Sequence, residues 1–228
     1  MDYENENPKK GFTVGKLIKW IIIALILFVY GLFMLRICSQ GEPESMKRFY
    51  WTQSSIELYK SSPDTFSAAV SKPDKDIDDA GLFSVSSVYY MPQTGEIQLS
   101  VRYNNSTVKK IQEDYSLDAQ LAGEIFVYML TDENGVTYTS YSFTSAKKFV
   151  HNYRRVVFGG VDFTSCGAVT LDIFYINDVN RSHPMASFII YDPENDGSVL
   201  GEKLTGTAPS QPDKLYASPA YLTSGAAE

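Results

Sequence analysis

The longest uninterrupted apolar run in the chain lies near its beginning. Residues 20–35 read WIIIALILFVYGLFML, 16 positions without a charge. A helix rises about 1.5 Å per residue, so this run spans about 24 Å, and extension to residues 17–38 covers a hydrocarbon core of about 30 Å. Lys19 and Arg36 fall near the ends, where long side chains reach the headgroups, and Trp20 falls where interfacial aromatic residues are common. The pattern predicts a single transmembrane helix over residues 17–38.

Two other interpretations of this run remain open. A cleaved signal peptide has an apolar region of about 7–15 residues followed by a small-x-small site, and Ile37 and Ser39 form only a weak site of that kind. A bacterial lipoprotein signal needs a small residue before the cysteine, whereas Ile37 precedes Cys38. The length of the run and the poor processing sites favour a retained anchor.

The basic residues on either side of the run favour a cytoplasmic N-terminus. Four precede it and three follow it: Lys9, Lys10, Lys16 and Lys19 against Arg36, Lys47 and Arg48. Cytoplasmic flanks carry the excess of basic residues in single-span proteins. We therefore expect a single-pass cell-membrane protein with residues 1–16 as a cytoplasmic stub and the C-terminal part extracytoplasmic.

Residues 39–80 are expected to form a membrane-proximal helix and a linker. Pro43 with acidic neighbours is a helix-start signal, and apolar residues follow at spacings of three and four between positions 46 and 59. The pattern predicts one amphipathic helix from Pro43 to Lys60. The charged stretch from Lys72 to Asp79 predicts a linker.

From residue 82 onward the apolar residues recur with a period of two, which is typical of β-strands. Phe83–Met91 and Glu96–Asn104 are two such runs, joined through Pro92–Gly95. In the second run the odd positions from 97 to 103 are apolar and the even positions from 96 to 102 are polar. This alternation predicts an antiparallel strand with its polar face in solvent.

Further strand-like runs extend this pattern to residue 193. They are Glu124–Thr131, Val136–Phe143, Lys148–Phe158, Ala168–Asn177 and Ala186–Asp192. Asn134-Gly135 is a strong hairpin signal, because the tightest turn of this kind needs φ > 0 at both positions. Residues 81–193 therefore predict a mostly β fold, an immunoglobulin-like antiparallel β-sandwich of about seven strands.

Two segments fall outside the strand pattern. Ser106–Gly123 predicts a crossover with a helical turn. Residues 194–228 are rich in Gly, Pro, Ser, Ala and Thr, and their weak apolar periodicity predicts a disordered tail.

Composition and charge exclude several classes of protein. The net charge of −7 and pI near 4.9 argue against a nucleic-acid binder. Two Cys and two His exclude a disulfide-dense scaffold and an all-Cys/His zinc site. Residues from 37 onward carry about −9, because residues 1–19 and Arg36 each contribute +1. We expect such a domain to be repelled by anionic lipid and to stand off the membrane.

The residue types used in catalysis do not form a recognised set. His151 lies in a strand-like run, His183 lies in a loop, and Cys166 has no His nearby in the sequence. Catalytic groups assemble in space, so this absence is not proof, but we expect no enzyme activity and no cofactor. Arg154 and Arg155 are expected to belong to a solvated basic patch.

Asp192, Glu194 and Asp196 form a candidate ligand turn. The stretch DPENDG approaches the start of an EF-hand calcium loop, but its twelfth position is Lys203, which cannot supply the bidentate carboxylate. A solvated turn is the simpler interpretation, and a weak calcium site is the alternative.

The sequence as a whole predicts a membrane-anchored envelope protein whose outer β-sandwich mediates protein–protein interaction. The expected partners are the lipid bilayer and another envelope protein. The 16 Tyr and 13 Phe residues keep an alternative open, a module that binds surface polysaccharide or a calcium-dependent ligand, because Tyr combines apolar area with a polar tip. Strand propensity accounts for the same residues.

Overall fold

The chain divides into two compact units, residues 1–41 and residues 42–228. The computed structural model describes residues 14–64, 66–71, 82–86, 88–114, 125–176, 178, 180–192, 200–202 and 208–218. The second unit, called the β domain below, contains three helices and all the strands of the described ranges.

The first unit is one long helix, α1 (Val14–Gln40). Its residues Val14–Cys38 are long and apolar enough to cross a membrane, and its apolar side chains are exposed, Trp20 by 61%. Lys19 and Arg36 are also exposed on this helix. The predicted apolar N-terminal helix is confirmed, while its orientation stays a prediction and most of the stub lies outside the described residues.

The helix predicted from Pro43 to Lys60 is wrong, because the chain forms two helices there. They are α2 (Glu44–Lys47) and α3 (Gln53–Ser61), with an extended connection that begins at Arg48. Thr52 starts α3 through a capping box with Ser55, which supplies a second helix start within the run. A break also lets neighbouring Phe49 and Tyr50 both be buried.

The strands of the described residues form two antiparallel sheets. In chain order they are β1 (Ala68–Ser71), β2 (Phe83–Val85), β3 (Val88–Met91), β4 (Glu96–Asn104), β5 (Phe126–Asp132), β6 (Thr137–Tyr138), β7 (Tyr141–Lys148), β8 (His151–Phe158), β9 (Val169–Tyr175), β10 (Ala186–Tyr191), β11 (Leu200–Glu202) and β12 (Tyr216–Ala217). Sheet A has the order β11-β1-β3-β4-β8-β7-β12, with β2 also paired to β4. Sheet B has the order β10-β9-β5-β6. A helix, α4 (Asn105–Asp114), follows β4 in the predicted crossover.

Glycine turns close the hairpins that the sequence predicts. Gly95 (φ +65°) ends the β3–β4 turn, where a Cβ atom would lie 2.9 Å from the carbonyl oxygen of Val161. Gly135 (φ +81°) ends the β5–β6 turn, in which Asp132 Oδ1 accepts the backbone N–H groups of Asn134 and Val136. The hairpin is confirmed, but Asn134 does not have positive φ, because this turn is longer than the two-residue type.

One hydrophobic core receives side chains from both sheets. It includes Leu99 and Val156 of sheet A with Leu130 and Leu171 of sheet B, all fully buried. The ring of Phe126 in sheet B packs edge-on against Phe83 of sheet A at 4.9 Å. The mostly β class with two antiparallel sheets is confirmed, whereas the count of about seven strands for residues 81–193 is not, since nine strands, β2 to β10, are described in that range.

Part of the predicted tail is ordered. Within residues 194–228, β11 pairs with β1 and β12 pairs with β7. The prediction of disorder is wrong for residues 200–202 and 208–218, because backbone pairing holds segments that lack apolar periodicity. The remaining tail positions lie outside the described residues.

Candidate functional site

The polar face of β4 is buried, contrary to the predicted solvated face. Glu96, Gln98 and Ser100 are 5%, 0% and 1% exposed. Residues 44–52, which we call the strap, make hydrogen bonds and ring contacts to this face of sheet A. Polar groups buried in this way need hydrogen-bond partners, and the strap supplies them.

Side chains of the sheet bind the backbone of the strap. The N–H of Tyr50 donates to Gln98 Oε1 (3.0 Å), and Gln98 Nε2 donates back to the Tyr50 carbonyl oxygen (2.8 Å). Tyr89 donates its hydroxyl to the Lys47 carbonyl oxygen (2.7 Å), and Ser100 donates to that of Met46 (3.2 Å). The Gln98 amide thus bonds to Tyr50 as a neighbouring strand would, while Tyr89 and Ser100 bind carbonyl oxygens of α2.

Arg155 lies beneath the strap with no exposed surface. Its guanidinium lies 5.0 Å from the ring centroid of Tyr89 and 5.6 Å from that of Tyr50, and it donates to the Met46 carbonyl oxygen at 3.4 Å. Burial lowers the pKa of Arg155 to about 10, so the group stays charged at neutral pH. The predicted solvated patch is wrong, because Arg154 is also buried, with its guanidinium 4.4 Å from the ring centroid of Phe143.

Two carboxyl groups, Glu42 and Glu96, have pKa values raised by burial. Burial raises the pKa of Glu42, against the opposing effects of a hydrogen bond to Ser100 and the charge of Arg155. Burial also raises the pKa of Glu96, whose Oε1 accepts a 2.6 Å hydrogen bond from the Thr52 hydroxyl. These groups stabilise a bound peptide segment and show no arrangement of nucleophile and base.

Asp213 fastens the outer side of the strap. Its carboxylate accepts two hydrogen bonds from the Arg48 guanidinium, at 2.9 and 2.6 Å. It also accepts from the N–H of Trp51 (2.8 Å), and its own N–H donates to the Trp51 carbonyl oxygen (2.8 Å). A residue of the predicted tail therefore joins the two ends of the β domain.

β10 forms one edge of sheet B and is the longest edge strand among the described residues. β10 pairs with β9 on one side, and no strand of the described ranges pairs with its other side. Ile189 on this strand is 44% exposed. A register shift follows Ile189, and the carbonyl oxygen of Ile190 accepts a hydrogen bond from the Tyr90 hydroxyl.

The turn between β7 and β8 carries an exposed apolar pair. We call residues 147–150 the β7–β8 tip. Phe149 and Val150 are 58% and 57% exposed, and Phe149 has a φ of 54°. The Val150 carbonyl oxygen accepts the N–H of Asn105 (2.8 Å), which fixes the turn against the start of α4.

The structure separates the residues considered for catalysis into different environments. His151 begins β8, and burial together with the charge of Arg102 lowers its pKa. His183 is exposed in a loop, 2.9 Å from the Ser182 hydroxyl. Cys166 is buried in a turn, and burial raises the pKa of its thiol. No hydrogen bond joins these three side chains in the part of the chain that is described.

The candidate calcium turn is only partly visible. Asp192 follows β10 and is half-buried, while Glu194 and Asp196 lie outside the described residues. Among described positions no group of three acidic, His or Cys side chains could hold a metal ion.

No protein-family model, curated protein or solved structure gives a significant match to this chain.

Proposed function

We propose that the chain is a single-pass cell-membrane protein whose β domain binds another envelope protein and has no enzymatic activity. The apolar exposed helix α1 supports the anchor. The basic residues flanking it support a cytoplasmic N-terminus and an extracytoplasmic β domain. The buried polar groups described above hold the chain's own segments, which suits a binding scaffold.

We also infer that the β domain is an immunoglobulin-like sandwich with added strands. Taken along the chain, β3 to β10 would correspond to strands A, B, C, C′, D, E, F and G of that fold. Sheet A then contains the order A-B-E-D (β3-β4-β8-β7), and sheet B has the order G-F-C-C′ (β10-β9-β5-β6). The shared core supports face-to-face packing of the sheets. On this assignment β10 corresponds to strand G.

The observation that carries the binding proposal is the β10 edge of sheet B, which no strand of the described ranges covers. An edge strand presents unpaired backbone N–H and C=O groups to any extended segment of a partner. The exposed Ile189 adds apolar area at the same place. By contrast, both edges of sheet A end in the very short strands β11 and β12. A partner strand is therefore expected to add to β10.

Site-specific crosslinking in native membranes tests this proposal. A photo-crosslinking amino acid replaces Ile189 in the full chain, and the matched control replaces Val136, which is 49% exposed and lies beside β6 at the opposite edge of sheet B. We expect one recurrent protein adduct from position 189 that position 136 does not give. Ile189→Lys should remove the same protein from a tag pull-down, and Val136→Lys should leave it. Equal adducts at both positions, or none at 189 in a folded chain, would contradict the proposal.

A ligand-binding role for polysaccharide or calcium is the alternative. Asp192 at the end of β10 favours it. A surface for stacking sugars would need exposed tyrosines, and Tyr216 is the single exposed tyrosine in the described part of the β domain. If no protein adduct forms at position 189, thermal stabilisation of the full chain by calcium or by cell-wall glycans becomes the deciding measurement.

A further inference from the structure

The β7–β8 tip exposes apolar side chains where turn chemistry favours other residues. β7 and β8 pair up to Lys148 and His151, which leaves Phe149 and Val150 as a two-residue connection. Tight hairpin turns favour Gly, Asn and Asp, because one or both positions need positive φ. This connection carries an aromatic and a β-branched residue instead, and both are more than half exposed.

The backbone of the tip is strained by this choice. Phe149 has a φ of 54°, whereas the short β3–β4 and β5–β6 turns place Gly95 and Gly135 at positive φ. A bulky residue in the left-handed region destabilises the fold, and such strain concentrates at sites that have a binding role. The tip is therefore better suited to contact with another surface than to closing the hairpin.

The charge next to the tip identifies the kind of surface. Lys147 and Lys148 directly precede the apolar pair, although residues from 37 onward are strongly acidic in total. Aromatic and aliphatic side chains beside lysines match the boundary between headgroups and acyl chains of a bilayer with anionic lipid.

We propose that the β7–β8 tip inserts Phe149 and Val150 into the interfacial region of the bilayer that α1 crosses, with the two lysines on anionic headgroups. The tip gives the domain a second membrane contact, although net charge alone predicts that it stands off the membrane. This inference rests on the proposed anchoring through α1, and it does not depend on a partner at β10.

Depth-dependent quenching in the reconstituted full chain tests the proposal. Val150→Cys, in a Cys38→Ser background, carries an environment-sensitive fluorophore, and the chain is placed in nanodiscs with phosphatidylglycerol and nitroxide-labelled lipid. The control label is at Val136→Cys, which lies at another hairpin and is similarly exposed, by 49%. We expect blue-shifted, quenched emission at position 150 and neither effect at 136. Failure of the chain to co-float with lipid would refute the anchor, whereas co-flotation without quenching at 150 would refute only the tip.

A second variant separates binding from folding. Phe149→Asn with Val150→Thr suits the turn better and should fold at least as stably as the wild type. For this comparison the fluorophore is attached at Lys148→Cys. Its quenching should be present in the otherwise unchanged chain and lost when Phe149→Asn and Val150→Thr are added. Lys147→Gln should weaken quenching in phosphatidylglycerol nanodiscs and have little effect in neutral ones. Quenching that survives the double change would overturn the proposal. Quenching that depends on protein concentration rather than on lipid composition would also overturn it, and would indicate contact between copies of the chain.

Discussion

Replacement of Gln98 by alanine tests whether the strap is held by side chains of the sheet. Gln98 is completely buried, and its amide makes two hydrogen bonds to the backbone of Tyr50. Gln98→Ala removes both partners at once and leaves the N–H and the carbonyl oxygen of Tyr50 unpaired. Tyr50 is itself 5% exposed, so water reaches these groups only if the strap moves.

The expected effect follows from the two groups left unpaired. A buried polar group without a partner costs about 1–3 kcal/mol, so two such groups cost about 2–6 kcal/mol while the strap stays in place. If detachment of the strap requires less free energy than this, the strap leaves the sheet instead. The free energy of local opening of residues 44–52 then falls, and the free energy of global unfolding falls by less than the full cost of two unpaired groups.

Two measurements on the full chain in detergent distinguish these outcomes. Trp20→Phe leaves Trp51 as the single tryptophan, and its ring stacks on Phe66 at 5.2 Å, so its fluorescence follows this end of the β domain during denaturation. Amide exchange at Tyr50 and Trp51 reports local opening, because the N–H groups of these two strap residues donate to Gln98 and Asp213.

The matched control is Gln211→Ala, at an exposed position in the segment 208–218. We expect it to change stability by less than about 0.5 kcal/mol, as exposed substitutions usually do. If Gln98→Ala changes neither the unfolding free energy nor amide exchange at Tyr50 more than this control does, the argument for the strap is refuted.

Three further predictions follow from burial and backbone conformation. Burial raises the pKa of Glu96 above 4.5, so wild-type stability falls as pH rises from about 4.5 through the folded pKa. The unfolding free energy of Glu96→Gln relative to wild type should rise over that window and then level off, and parallel pH profiles would contradict this. Phe149 has a φ of 54°, which Asn adopts at lower cost, so Phe149→Asn should increase the free energy of unfolding by about 1 kcal/mol and raise the melting temperature by about 2–4 °C. An unchanged or lower melting temperature would argue against strain. In a Cys38→Ser chain, Ellman's reagent should modify buried Cys166, whose thiol pKa is raised by burial, only after denaturation. A thiol that reacts fast in the folded chain would show that Cys166 is accessible.

Local patterns predicted the β4 strand but not the environment of its polar face. The alternation from position 96 to 103 fixes which side chains share a face, because a strand has a period of two. It does not tell whether a polar face meets water or a distant segment. Gln98 and Ser100 look like solvent-facing residues in the sequence, and their partners Tyr50 and Met46 come from a segment roughly 50 positions earlier.

The same limit applies to the break between α2 and α3 and to the ordered tail. A three- and four-residue spacing of apolar positions fits a helix, but the sheet offers more burial to Phe49 and Tyr50 when the chain is extended between them. Asp213 lies in a polar stretch without periodicity, and it is held by two hydrogen bonds from Arg48 and two with the backbone of Trp51. The hairpin at Gly135 was predictable because the turn needs positive φ, a local requirement.

Sheet A is completed by the last described segments of the chain. Its two outer strands, β11 and β12, are residues 200–202 and 216–217, and they pair with β1 and β7. Synthesis releases these segments after the other described strands, so β1 and β7 lack these two partners in a growing chain until residues 200–217 have emerged. A product shortened before residue 200 would keep both edges open and be prone to aggregation and proteolysis. The short strands β11 and β12 therefore serve as covers for the edges of β1 and β7, and sheet A gains this protection later than its central pairs form.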